Sequence, residues 1–318
     1  MSSVFRSLIP VPVLALIAGL FLTSRADAQA ERPAAGASAW SKLIAADGPE
    51  LHWSFDGKSA HAATTSVPDA SVPNGVVAGP LKFKAAGPLR RDSRYFSTGN
   101  LAAEFPGPGA AIKLQDPGEK SLLDFDKGDA LTIEAWVNPR SFGGTRYMYI
   151  VGKGRTNNKG VAKDNQSYAL RLQGNGDQAV LSFLFRSSGN GGGFHRWTSS
   201  EGFAVDGKWH HVAVTYEFGK ADSLHGYVDG QPVNGVWDMQ GATTKAPVVD
   251  NDELWVGSSM GMGAGSTFNG LLDEVAIYRK ALSAERFLVR VPTARRPDAP
   301  PMPEAAPPRD SVLVEVLA

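Results

Sequence analysis

The sequence predicts an all-β protein, a sandwich or barrel of antiparallel strands, and three observations lead there. A series of short runs rich in β-branched and aromatic residues extends from Leu101 to Lys280, separated by Gly, Asn, Asp or Pro. Only "LSAERFLVR" makes a good helix, with Ser283 placed to cap it and Glu285 in its first turn. Asp229-Gly230 stands between two β-prone runs, a strong two-residue hairpin signal whose glycine tolerates positive φ. Strands spaced this way argue against alternating β/α units.

Taken in order, the chain opens with a leader. Arg6 precedes the apolar run "LIPVPVLALIAGLFL", and Ala28 and Ala30 give the small-x-small pattern of secretory cleavage sites. Residues 1–30 are read as a signal peptide cut after Ala30; the run, with Pro10 and Pro12, is short for a span of ~20 residues. No later segment is apolar enough to cross a membrane, so an exported protein is expected, periplasmic, cell-surface or secreted. Residues 31–50 form a small-residue approach segment, "LHWSFD" (51–56) a first strand, and 57–80 a long loop rich in Ala, Ser, Pro and Gly.

Further strands are read in "LAAEF", "AAIKL", "ALTIEAWVN", "RYMYIVGK", "SYALRLQ", "AVLSFLFR", "FHRWTS", "KWHHVAVTYEF", "LHGYVD", "ELWVGS" and "FNGLLDEVAIYRK". Residues 291–318 are a proline-rich, disordered linker and tail. The tail ends in the strand-like "SVLVEVLA", which cannot stand alone in water and is expected to lead into a further domain or pair with a partner.

Composition narrows the class. Zero cysteine excludes disulfides and thiolate metal sites. Equal numbers of basic and acidic residues, 32 each, argue against a nucleic-acid binder, which would carry a basic excess.

The stretch "GKWHHVAVTYEFGKADSLHGYVDGQPV" places two histidines side by side. Strand alternation sends His210, with Val212, Val214 and Tyr216, to one face and His211 to the other, so the pair does not share a metal. Sheet histidines bonded to backbone or neighbours are the favoured reading, and residues 209–236 are expected to form three consecutive antiparallel strands. Here a resemblance becomes specific. "DGKWHHVAVTYEF…LHGYVDGQPV…LWVGS…FNGLLDEVAIYRKALSAE", preceded in order by "ALTIEAWVNP", "YIVGKG" and "SYALRL", resembles the laminin-G-like, concanavalin A-like jellyroll domains of bacterial exported proteins. That resemblance implies a two-sheet antiparallel jellyroll sandwich over residues 51–290.

It also implies a structural calcium between the first strand and the last, held by Asp56, Asp273 and the carbonyl of Gly107; Pro106 departs from the acidic residue often found in that turn. The alternative is that Asp273 satisfies backbone groups or pairs with an arginine. Some enzymes share the architecture, but the family glycosidase signature Glu-x-Asp-x-x-Glu is absent, as are Gly-x-Ser-x-Gly and His-Glu-x-x-His. Glu134, mid-strand in "LTIEAWV" with Thr132 and Trp136 as face neighbours, reads as a structural acid, and the "DNDE" run (250–253) as a polar turn. The glycine clusters "GNGGGF" and "GMGAGS" precede no helix pattern and read as strand connections.

Binding is the class that remains. Candidate ligand contacts are Phe194, His195, Arg196 and Trp197 with Tyr147 and Tyr149, and "GKGRTNNKGVAKDNQS" (152–167) is a candidate recognition loop. A non-catalytic carbohydrate-recognition module is the leading expectation, its partner a glycan or a cell-surface or extracellular protein. A structural or adhesion module is the alternative, and a glycan-active enzyme a distant third.

Overall fold

The computed structural model describes residues 38–56, 75–118 and 121–291, all within the compact unit Ala34–Ala318. The leader, most of the 57–80 loop and the proline-rich tail lie outside the described residues.

In chain order the elements are α1 (Ala39–Ala46), β1 (Leu51–Trp53), β2 (Val76–Ala78), β3 (Lys82–Ala86), β4 (Leu101–Pro106), β5 (Ala111–Leu114), β6 (Ala130–Pro139), β7 (Tyr147–Gly154) and β8 (Gln166–Asn175). There follow β9 (Gln178–Arg186), β10 (Phe194–Ala204), β11 (His210–Glu217), β12 (His225–Val228), β13 (Gln231–Val233), β14 (Gly235–Met239), β15 (Leu254–Val256), β16 (Asn269–Tyr278) and α2 (Ala284–Arg290). The first sheet runs β13-β12-β11-β6-β16-β4-β3, with β1 also on β16; the second runs β14-β10-β9-β8-β7-β15-β5-β2. The expected strands are present, and residues 209–236 contain the antiparallel β11, β12 and β13. Asp229 and Gly230 join β12 to β13 at φ 49° and 75°, the positive pair of a primed hairpin turn.

Four elements were not anticipated. The approach segment contains α1, whose N-cap Ser38 accepts a bond from the Ser41 N–H at 3.0 Å while Trp40 and Ile44, one turn apart, bury on the same side. Strands β2, β3 and β14 are sheet edges, short and half-exposed, so periodicity does not announce them. Ser283 occupies the N-cap of α2 as expected, but its side chain makes no capping bond.

Alternation supplies the core. Tyr168, Leu170 and Leu172 of β8 and Leu181, Phe183 and Phe185 of β9 face Leu131, Ile133, Val212, Val214 and Tyr216 of the first sheet. Burying each such side chain contributes about 1.5–3 kcal/mol. Lys153 also points inward, and its ammonium is held between Asp116 (2.7 Å), Asp124 (3.0 Å) and the Asp250 carbonyl.

Both α-helices pack on the outer face of the first sheet, and a buried glutamate fastens each. Glu274 accepts Ser38 Oγ at 2.8 Å and Ser41 Oγ at 2.5 Å from α1, and meets His52 at 2.5 Å. Glu134 accepts four bonds, from Tyr278 (2.5 Å), His211 (2.9 Å) and both terminal nitrogens of Arg286 from α2 (2.6 and 3.0 Å). Burial opposes ionisation of Glu134, but Arg286 and His211 outweigh it and hold the carboxyl well below the usual range. Asp47, at the end of α1, receives Arg286 and Arg290, which ties the helices to each other. Trp40 packs edge-on against Trp136, and Phe287 lies 4.6 Å from Tyr227.

The structure thus makes Glu134 a structural acid. Replacing Arg286 with Met leaves a fully buried carboxylate without its main counter-charge, and a loss of about 3–5 kcal/mol is expected in chemical denaturation. A Glu134→Leu/Arg286→Met double variant should recover much of that loss; a single-variant cost under ~1 kcal/mol would contradict the assignment.

Candidate functional site

The outer face of the second sheet is where the predicted ligand residues divide. Alternation in β10 turns Phe194 and Arg196 outward and His195 and Trp197 inward. His195 stacks on the core ring Phe185 at 5.3 Å and is fixed by the Gly241 carbonyl (2.8 Å) and Ser187 Oγ (3.1 Å). The Trp197 indole lies between the sheets, and a Cβ on Gly235 or Gly226 would stand 2.1 or 2.6 Å from it. Both are core side chains, so of the four adjacent candidates only Phe194 and Arg196 lie on the outer face.

Tyr147 and Tyr149 of β7 share that face with Arg171 of β8 and Ser182 of β9. Arg196 reaches across it: Nη1 donates to the Tyr147 hydroxyl at 2.5 Å, while Nε and Nη2 hold Asp238 of β14 at 2.6 and 3.0 Å. The Arg171 guanidinium lies 3.8 Å from the centre of the Tyr147 ring, and Arg155 and Arg186 lie 4.6 and 5.6 Å from that of Phe194. Tyr147 and Phe194 are both half-buried. Three side-chain oxygens on the face, Ser167 Oγ, Gln173 Oε1 and Thr198 Oγ1, are buried and have no hydrogen-bond partner.

Sequence reading missed Arg171, Gln173 and Thr198; Ser167 closes the candidate recognition loop 152–167. For Arg171 and Gln173 the signal was available in "SYALRLQ": a charged residue between two core leucines marks the outward set. The two ends of the long loop after β7 engage the "DNDE" run. Thr156 bonds Asp252, Asn158 bonds Glu253, and Asn165 bonds Asp250; Arg155, at the loop's start, is the residue that reaches Phe194.

The predicted calcium ligands also divide. A bulge between Asp273 and Ala276, with Glu274 at φ 50°, turns Asp273 and Glu274 toward Asp56 beneath α1. Gly107 is elsewhere. Its neighbour Pro106 pairs with Asn269, four residues before Asp273, a separation of roughly 13 Å at strand rise. Gly107 instead lines a cavity of about 150 Å³ with Phe142 and Asn269.

Asp273 accepts bonds from Asn100 Nδ2 (2.8 Å) and the Glu274 N–H (2.9 Å), and Asp56 accepts the Ser38 N–H. Burial and the neighbouring acids push Asp273 well above its ordinary range. Burial first, then Glu274, raises Asp56 to about 6, against the lowering pull of backbone bonds and His52. Asn100 Oδ1, beside them, is buried without a partner. This all-oxygen, excess-negative donor set fits a hard cation. Among the described residues no three His, Cys, Asp or Glu side chains are arranged to hold an ion by themselves, so an ion there would also need Asn100 or backbone carbonyls.

Because the folded state binds protons at Asp56 and Asp273 more tightly than the unfolded chain, their contribution to stability is greatest below the unfolded value near 3.8 and falls as pH rises toward about 6, opposite in sign to that of Glu134. In chelator-treated buffer, Asp56→Asn should flatten part of that fall; an unchanged slope between pH 4 and 6 would contradict the assignment.

Residues 107–286 match the family described as the concanavalin A-like lectin/glucanases superfamily. Solved structures with a similar fold include domain 4 of AbnA, a GH43 extracellular arabinanase from Geobacillus stearothermophilus, in complex with arabinotriose. It shows 17% identity and a TM-score of 0.41 over 74% of this chain and 95% of that one. The CBM40 of Ruminococcus gnavus IT-sialidase, bound to α2,3 sialyllactose, shows 16% identity and a TM-score of 0.37 over 52% of this chain and 84% of that one. The binding domain of Botulinum neurotoxin DC, in complex with rat synaptotagmin II, shows 12% identity and a TM-score of 0.45 over 76% of this chain; this chain spans 51% of that domain. At these identities the likeness concerns fold alone. The family match covers more than half of the chain and falls on the sandwich strands themselves: the chain belongs to the concanavalin A-like lectin/glucanase superfamily.

Proposed function

We propose that the chain is a non-catalytic carbohydrate-binding module whose ligand surface is the outer face of the second sheet. The observation that carries this reading is the gathering there of two half-buried rings, Tyr147 and Phe194, with Arg196 and the unpartnered oxygens of Ser167, Gln173 and Thr198. Sugar rings stack their C–H faces on aromatic side chains, and their hydroxyls both donate and accept hydrogen bonds, so this mixture suits them. The superfamily includes lectins and glucanases, so membership alone does not choose between binding and catalysis. The central carboxylate of the first sheet, Glu134, has its oxygens filled by structural donors, which favours binding. Among the described residues no helix is long and apolar enough to cross a membrane.

Glycan-array screening of the full chain, followed by titration calorimetry on the best ligand, tests the reading. Tyr147→Ala and Phe194→Ala should each weaken binding by about 1–2 kcal/mol, roughly 5- to 30-fold, as hot-spot aromatics do. Binding to no glycan would favour the structural or adhesion module instead.

A second reading concerns calcium, favoured by the orphaned Asn100 oxygen beside Asp56 and Asp273. A bound ion would relieve the repulsion among the buried acids. Calcium should therefore raise the melting temperature relative to chelator, and raise it more at pH 7 than at pH 4.5, where protons compete. No shift at pH 7 would remove calcium from the account.

A further inference from the structure

We infer that the ligand of this face is an acidic glycan, one carrying carboxylates on its sugar rings, with Arg171 and Arg196 as the counter-charges. The inference rests on the carbohydrate-binding reading and names the ligand class for the same site. Arg171 is 4% exposed, and its hydrogen bonds go to neutral oxygens, Ser182 Oγ at 3.1 Å and the Tyr149 hydroxyl at 3.2 Å. Among the described residues it has no carboxylate within ion-pair distance. A buried guanidinium without a counter-charge is unfavourable, and its neighbour Arg196 adds repulsion; both lower its affinity for its own proton. An anion arriving at this face relieves that cost, so negative ligands gain over neutral ones.

The surrounding charge has the same sign. Arg146, Arg155, Arg171, Arg186 and Arg196 all lie within about 6 Å of the Tyr147 or Phe194 ring, although the whole chain has no net charge. The carboxylate that these arginines engage, among the described residues, is Asp238 on the edge strand β14. Arg196 grips it in fork geometry, through Nε and Nη2. That pair shows how the face holds a carboxylate, and Asp238 is exposed, so a ligand carboxylate can exchange with it. The rings and orphaned oxygens favour a sugar acid over a bare anion, since a bare anion uses neither.

Calorimetry on the full chain with matched pairs tests the inference: oligogalacturonate and its methyl ester, oligoglucuronate and its carboxyl-reduced form, with inorganic phosphate as a bare-anion control. At least one acidic member should bind tenfold or more tightly than its neutral counterpart, and the advantage should shrink between about 20 and 150 mM salt. Arg171→Gln should remove most of the advantage. Arg186→Gln, at a half-exposed position that leaves the core intact, should lower it severalfold even if the first variant disturbs packing. Equal affinity for acidic and neutral members overturns the inference while leaving glycan binding standing. Phosphate binding as tightly as the sugar acid also overturns it. Binding to neither member of either pair, with neutral glycans bound elsewhere in the array, overturns it too; no glycan binding at all removes the underlying reading as well.

Discussion

Glu134 sits in the middle of β6, closed off from solvent, and accepts hydrogen bonds from Arg286, His211 and Tyr278. Much of the architecture answers to that carboxylate. A buried anion of this kind is tolerable only with a full set of donors, and the donors come from three separate parts of the chain. β11 supplies His211, β16 supplies Tyr278, and α2 supplies Arg286. Removing any of them reopens the desolvation cost of the others. The helix after the last strand is therefore held by charge as well as by packing, and through Asp47 it holds α1 in turn. Glu274 repeats the arrangement for α1, with two serine hydroxyls in place of the guanidinium.

That fastening makes the two faces of the sandwich unlike. The outer face of the first sheet takes the helices, and its two central glutamates, Glu134 and Glu274, are spent on them. The outer face of the second sheet holds its own charged and aromatic side chains in one another's company: Arg171 on Tyr147, Arg196 on Tyr147 and Asp238, and Phe194 between Arg155 and Arg186. Several of these interactions are cation–π contacts and hydroxyl bonds rather than ion pairs, and three nearby oxygens have no partner. A surface with unspent hydrogen-bonding capacity and excess positive charge is suited to a ligand that brings hydroxyls and carboxylates. The acidic cluster under α1 is the electrostatic opposite, an excess of buried negative charge that a cation or a proton relieves.

Much of the fold was legible because hydrophobic alternation and turn chemistry are local. "KWHHVAVTYEF" and Asp229-Gly230 specified β11 to β13 without any knowledge of their neighbours, and alternation correctly separated His210 from His211. His210 stacks on Phe203 at 4.2 Å, whereas His211 faces Trp40 and Glu134. The helix α1 was hidden because it is only eight residues long and its two anchoring residues, Trp40 and Ile44, gain meaning only against the first sheet. The site was less legible for a related reason. Phe194, His195, Arg196 and Trp197 are adjacent in sequence, yet the same period-two rule that separated the histidines sends half of them into the core. Gly107 was grouped with Asp56 and Asp273 by the resemblance, but strand register, which no local pattern states, puts it about four residues along β16 from Asp273. Arg171 was the opposite case: its charge between two core leucines was visible, and only the pairing of β7 with β8 shows that it meets Tyr147.

On the proposed function, ligand meets the outer face of the second sheet and leaves the helix-covered face alone. Backbone amide shift mapping by NMR, during titration with a glycan that binds the full chain, separates the two faces. Perturbations are expected at Tyr147, Arg171, Gln173, Phe194, Arg196 and Asp238, with Trp40, His211 and Phe287 unmoved. Perturbations confined to α1, α2 and the strands beneath them would place the ligand on the other face and overturn the assignment.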